Sequence, residues 1–175
     1  PENAAIRDAL RGVYEQTGAN KELAKILHQE ADEATDPAMR LPMLHRIATL
    51  FLSEGDAEAA TAVLAEVLTL SPGDIEASVT LADAHLALGA MQQAAEILQS
   101  AVDSLSSQRG PEAALLFQRQ GRVAGSQGDT AKQLELLQQA FAADKQNGEV
   151  AAELADLAEV LEEWDTAVRV LRTIT

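Results

Sequence analysis

From Ala94 to Ala101, the residues Ala94, Ile97, Leu98 and Ala101 fall three and four positions apart, with Glu96, Gln99 and Ser100 between them. That spacing places them on one face of a helix and the polar residues on the other. Val168, Leu171 and Ile174 make a second such stripe near the end of the chain. Gly55, Gly89 and Gly128 each follow one helical stretch and precede another. The pattern predicts helices in pairs, each pair turned at a glycine.

Gly55 and Gly89 lie 34 residues apart, and internal periods of this length mark repeat architectures. A 34-residue frame set on them divides the chain into five repeats, about 4–40, 41–74, 75–108, 114–147 and 148–175. Repeat position 24 is Leu27, Leu64, Leu98, Leu137 and Leu171, and position 23 is Ile26, Val63, Ile97, Leu136 and Val170. Position 15 is Gly18, Gly55, Gly89, Gly128 and then Glu162. Position 8 holds Arg11, Ala48, Ala82, Gly121 and Ala155, and position 20 holds Leu23, Ala60, Ala94, Gln133 and Ala167. Glycine at a turn takes the left-handed conformation that ends a helix without steric cost. Asp56 and Asp129 follow that glycine, where an acidic side chain caps or flanks the next helix.

These columns resemble the tetratricopeptide repeat family over nearly the whole chain. The resemblance is carried by the small residues at positions 8 and 20, the turn glycine, the small or apolar Val67, Ala101 and Ala140 at position 27, and Pro72 at position 32. It implies an all-α fold, a right-handed α-solenoid of about five helix-turn-helix repeats forming one domain over residues 1–175. A single helix pair cannot bury its apolar face, so stacked neighbours form the core. The chain opens on Pro1 without an initiator Met, and repeat five stops inside its second helix. It therefore reads as a piece of a longer repeat protein.

Several positions depart from the pattern. Repeat one has Arg11 and Leu23 where small residues are expected. Repeat four has Gln120 at the usually apolar position 7 and Gln133 at position 20, expected to meet each other or water inside that helix pair. Arg109 to Ala113 is an extra stretch that predicts a longer connection, with Pro111 suited to the first turn of the next helix. Trp164 is expected to fill the position before the last helix.

Composition supports helices and narrows the function. Hydrophobic residues make up 47% of the chain, aromatics only 3%, and the apolar residues are mostly Ala and Leu, which favour helices. The net charge of −15 repels phosphate backbones and anionic membrane surfaces, so neither nucleic acid nor membrane insertion is expected. No apolar run approaches the roughly 18 residues that span a bilayer. The absence of cysteine removes thiol chemistry and cysteine metal sites. No targeting signal is visible, and the compartment stays open with the cytoplasm as default.

Catalytic signatures are missing: there is no GxGxxG, GxxxxGK[ST], HExxH or GxSxG. His28, His45 and His85 fall in different repeats and read as structural. The acidic residues of repeat five, from Glu149 to Asp165, read as a solvated face. No catalytic residue, cofactor or metal site is expected.

The resemblance instead implies a ligand groove lined by the first helix of each repeat. Its positions carry over as His45, Thr49 and Leu52 in repeat two, Glu76, Val79, Asp83 and Leu86 in repeat three, Gln118, Arg122 and Gly125 in repeat four, and Asp156 and Glu159 in repeat five. The basic clamp that some members use on a terminal carboxylate is absent, since Pro42, His45, Arg46 and Thr49, then Glu76, Val79, Thr80 and Asp83, occupy its positions. Such a surface suits a protein or peptide segment with basic and apolar side chains. Gly121 and Gly125 leave room for a partner's backbone or a notch. The expected function is a scaffold or adaptor module. The alternatives are self-association through Val168, Leu171 and Ile174, or regulation by a small ligand.

Overall fold

In the computed structural model the turns come where the glycine column places them. Gly18, Gly55, Gly89 and Gly128 have φ between 69° and 81°, and Glu162 takes the same left-handed conformation at φ 60°. At Gly55 the following N–H, that of Asp56, reaches back to Phe51 O at 2.9 Å, closing the helix end in a Schellman motif. Asp129 makes the same bond to Ala124 O at 3.0 Å, and Glu163 makes it to Ala158 O at 2.8 Å. The fifth repeat thus builds the same turn on a glutamate.

The structure describes residues 2–174, and side chains from residue 5 to residue 173. Among these residues there are ten α-helices and no strand: α1 Glu2–Thr17, α2 Asn20–Glu33, α3 Pro37–Ser53, α4 Ala57–Leu70, α5 Ile75–Ala87, α6 Met91–Ser104, α7 Pro111–Ser126, α8 Thr130–Ala143, α9 Gly148–Val160 and α10 Trp164–Ile174. Helix starts are written into the sequence as side-chain caps. Asp56 accepts from Ala59 N, Asp74 from Ala77 N, Asp129 from Lys132 N, and Asn147 from Glu149 N and Val150 N. Asp36 caps α3 ahead of Pro37 at the first helical position, so this helix begins before residue 41. Pro111 likewise opens α7, and much of the extra stretch becomes a further turn of helix.

The chain divides into two compact units, residues 1–89 and 90–175. In the first, α2 packs on α3, α3 on α4 and α4 on α5, around Leu23, Leu44, Ile47, Leu64 and Val67. Helix α1 buries none of its described side chains. It is tied to α2 by charge: Arg7 grips Glu33 with bonds of 2.6 and 2.9 Å, and Arg11 bonds Glu30 at 3.1 Å. This bidentate pair holds the Glu33 carboxyl below its ordinary range and raises Arg7. The large residues at the small-residue positions of repeat one thus belong to a helix pair closed largely by ion pairs.

In the second unit each of α6 to α10 packs on its sequence neighbour, around Leu98, Leu116, Leu137, Val150, Leu154 and Val170. The connection before α7 is anchored by the Gly110 N–H, which donates to Ala143 O at 3.0 Å at the end of α8. The position-24 leucines Leu27, Leu64, Leu98 and Leu137 are buried, while Leu171 is 40% exposed. Trp164, expected just before the last helix, is the first residue of α10 and is 59% exposed.

Candidate functional site

Within the first unit the candidate residues lie on α3 and α5. His45, Thr49 and Leu52 fall four and three apart on α3, a single stripe. Thr49 is exposed and Leu52 half-buried. His45 Nε2 lies 2.8 Å from Asp74 Oδ2, joining α3 to the residue that caps α5. On α5, Glu76 and Asp83 are exposed, Leu86 is half-buried, and Val79 is 8% exposed. Val79 therefore packs beneath this surface and offers a partner almost nothing to touch, contrary to its expected place on the groove.

In the second unit the candidates converge on a polar network between α7 and α9. Arg122 donates from Nε to Glu153 at 3.2 Å, and from one terminal nitrogen to Glu149 at 2.8 Å and to Glu153 at 3.0 Å. Gln118 donates to Glu153 at 2.7 Å and Glu149 at 3.2 Å. Arg122 thus bonds two carboxylates, with a neutral amide completing the set and Arg119 a second positive charge near Glu149. The Glu153 hydrogen bond, ahead of that from Glu149, raises Arg122 from its ordinary value. Glu149 is held low, first by Arg122 and next by Gln118. Gln118 is 3% exposed, so it orients the carboxylates from below instead of facing a partner. Asp156 and Glu159 continue along α9 as exposed acids. The sequence reads Glu149 and Glu153 as part of a solvated acidic face and gives no sign of their pairing with α7, because the register between two helices is not a property of either one.

Gly125 does not leave a notch. A Cβ there would lie 2.7 Å from Gln133 Oε1 and 2.8 Å from Gln133 Cδ, so the Gln133 side chain fills the space. Gln120 and Gln133 do not meet as expected: Gln120 turns to α6 and donates to Gln99 Oε1 at 3.1 Å. Gly121 faces α8, where an added Cβ would make ordinary contacts of 3.5–3.6 Å with Leu137, Leu136 and the Gln133 carbonyl. On α10, Val168 is 46% and Leu171 40% exposed; the side chain of Ile174 lies outside the described residues. No group of three or more His, Asp or Glu side chains among the described residues is placed to hold a metal ion. No helix among them is long and apolar enough to cross a membrane.

Paired helices, glycine turns and a small-residue interior define an all-α helical repeat solenoid. The tetratricopeptide repeat model matches residues 51–116, so the chain carries tetratricopeptide repeats over that stretch. Solved structures agree over almost its full length. MamA from Desulfovibrio magneticus RS-1 is similar with a TM-score of 0.70 at 19% identity, covering 99% of this chain and 94% of that one. Pseudomonas aeruginosa PilF gives 0.72 at 18%, covering 99% and 77%. TPR-like repeats of a putative kinesin light chain from Podosopora anserina give 0.67 at 21%, covering 99% and 94%. At these identities the likeness carries the fold. No curated protein matches the chain by sequence. Proteins with this fold are typically interaction scaffolds, generally without catalytic activity.

Proposed function

We propose that the chain is a protein-interaction module that binds a peptide or protein segment along the first-helix faces of its repeats. The observation that carries this reading is the charge pattern on α7 and α9. Arg122 is bonded to Glu149 and Glu153, and Asp156 and Glu159 extend an acidic surface along α9. In the first unit, exposed Glu76 stands with half-buried Leu52 and Leu86, an acid beside aliphatic surface. A segment with lysines or arginines and apolar anchors complements such a surface, charge setting encounter and orientation. The whole chain acts here as one repeat domain and performs no chemistry of its own.

Calorimetry with a lysine- and leucine-rich amphipathic helical peptide tests this. Substituting Asp156→Lys and Glu159→Lys together should weaken binding about tenfold or more and flatten its salt dependence. Unchanged affinity in that variant, with helicity intact, removes the α9 face from the site.

A second reading, self-association, is supported by the exposed Trp164, Val168 and Leu171, which fall four and three apart on α10. Light scattering over a wide concentration range decides it. A mass that rises with concentration and stays constant in Val168→Glu supports association through α10, and a steady monomer removes it.

A further inference from the structure

The second unit holds a cleft of about 470 Å3 between α6, α7 and α8. That volume is within the range of ligand sites. It lies on another side of α7 from the network with α9: Gln118 and Gln120, two residues apart on one helix, project in nearly opposite directions.

The repeat frame explains why the cleft opens here. Position 7 is Ile47, Leu81 and Leu154 in repeats two, three and five, all buried. Repeat four has Gln120 there, half-buried, lining the cleft and bonded to Gln99 across it. An aliphatic that elsewhere closes the core has been exchanged for an amide. Gln99, Gln108, Gln127 and Gln139 line the same cleft. Among the described residues the side-chain amides of Gln108 and Gln127 make no hydrogen bond, and Gln139 uses its donor on Glu135. Each primary amide has two donors and an acceptor, so the walls offer both functions, as an extended peptide backbone requires. The floor is apolar, with Val102, Phe117 and Leu136. At the α6 rim, Glu96 is bonded by Gln92 and Asp103 by Gln99, both neutral, and neither has a cationic partner among the described residues. On the opposite rim Lys132 is already paired with Glu135 at 2.8 Å.

From this we infer that the cleft is a second interaction site, taking an extended peptide segment. Its backbone pairs with the glutamine amides, an aliphatic side chain rests on Phe117 and Leu136, and a lysine or arginine meets Glu96 or Asp103, which stand two turns apart on α6. The inference is independent of binding on the α7–α9 face.

The test is an NMR titration of the isotope-labelled full chain with a pool of capped hexapeptides. Each carries one central lysine among valine, threonine and leucine, residues that favour the extended state, and a matched pool carries glutamate. Saturable shifts of the Gln99, Gln120 and Gln127 side-chain amides with the lysine pool, about tenfold weaker with the glutamate pool, support the site. Gln120→Leu should abolish them without lowering the melting temperature, because it restores the residue type that the other repeats bury. Gln127→Ala, at an exposed position, serves as a second variant and should weaken binding severalfold. Absence of saturable shifts in these amides, equal response to both pools, shifts confined to Gln118, Arg122 and Glu153, or undiminished binding in both variants would each overturn the inference.

Discussion

His45 and Asp74 join two neighbouring repeats through one carboxylate: Oδ2 lies 2.8 Å from His45 Nε2, while Oδ1 accepts the Ala77 N–H at 2.9 Å. The same side chain therefore starts α5 and tethers α3. Removing the imidazole leaves the cap intact, so His45→Ala should cost about 0.5–1.5 kcal/mol, one hydrogen bond. Asp74→Ala loses cap and tether together and should cost about 2 kcal/mol. Urea unfolding of both single variants and the double variant measures the coupling; a double variant whose loss equals the sum of the two singles would mean the pair contributes nothing.

The two glycines of α7 should respond differently to alanine. Gly121→Ala places its Cβ in ordinary van der Waals contact with Leu137 and Leu136, and should gain about 0.5–1 kcal/mol from the reduced backbone entropy of the unfolded chain. Gly125→Ala must displace the Gln133 amide and should gain less. Adding Gln133→Ala in that background should recover the difference. Equal gains in the two single variants would show that Gln133 does not occupy the space above Gly125 in solution.

Glu162 holds a left-handed backbone that a β-carbon disfavours. Glu162→Gly should therefore stabilise the chain by about 0.5–1 kcal/mol, despite the greater freedom glycine has when unfolded. Gly89→Ala is the mirror case: no atom lies within 4 Å of an added Cβ, so its loss, about 1–2 kcal/mol, reports backbone strain alone. Denaturation midpoints that move in the same direction for both changes would contradict the shared turn geometry.

The α7–α9 network predicts a pH dependence. Glu149 is held below its ordinary value by Arg122 and then Gln118. A carboxylate depressed in the folded state adds stability above its unfolded value, and that contribution is lost as pH falls through the depressed one. Replacing Arg122 with Gln should raise the Glu149 titration towards the ordinary range, as followed by carbon-detected NMR. The stability curves of the two proteins should differ at neutral pH and converge in acid. Curves that stay parallel across that window would place the ion pair outside the folding equilibrium.

Much of the fold was legible because it follows local rules. Turn glycines, capping Asp56 and Asp129, Pro111 at a helix start and the leucine column each act within a few residues of themselves. The start of α3 at Pro37 escaped the 34-residue frame because the Asp36 cap overrides the period. Side-chain partners were harder to read. Val79 and Gln118 were assigned to a surface by position in an average repeat, whereas burial depends on which neighbours are large. Gln120 and Gln133 were recognised as departures, but their partners, Gln99 and the space above Gly125, depend on how far α6 and α8 stand from α7.

Within each unit, the close backbone packing of helices joins consecutive ones, and the α7–α9 side-chain network reaches only one helix further. Chain connectivity and spatial adjacency are therefore nearly the same thing. Little loop entropy has to be spent before a contact forms, which favours rapid assembly from any helix pair. Damage is local for the same reason: opening at α10 removes the support of α9 before that of any other helix, and the unit comes apart in sequence order from its ends.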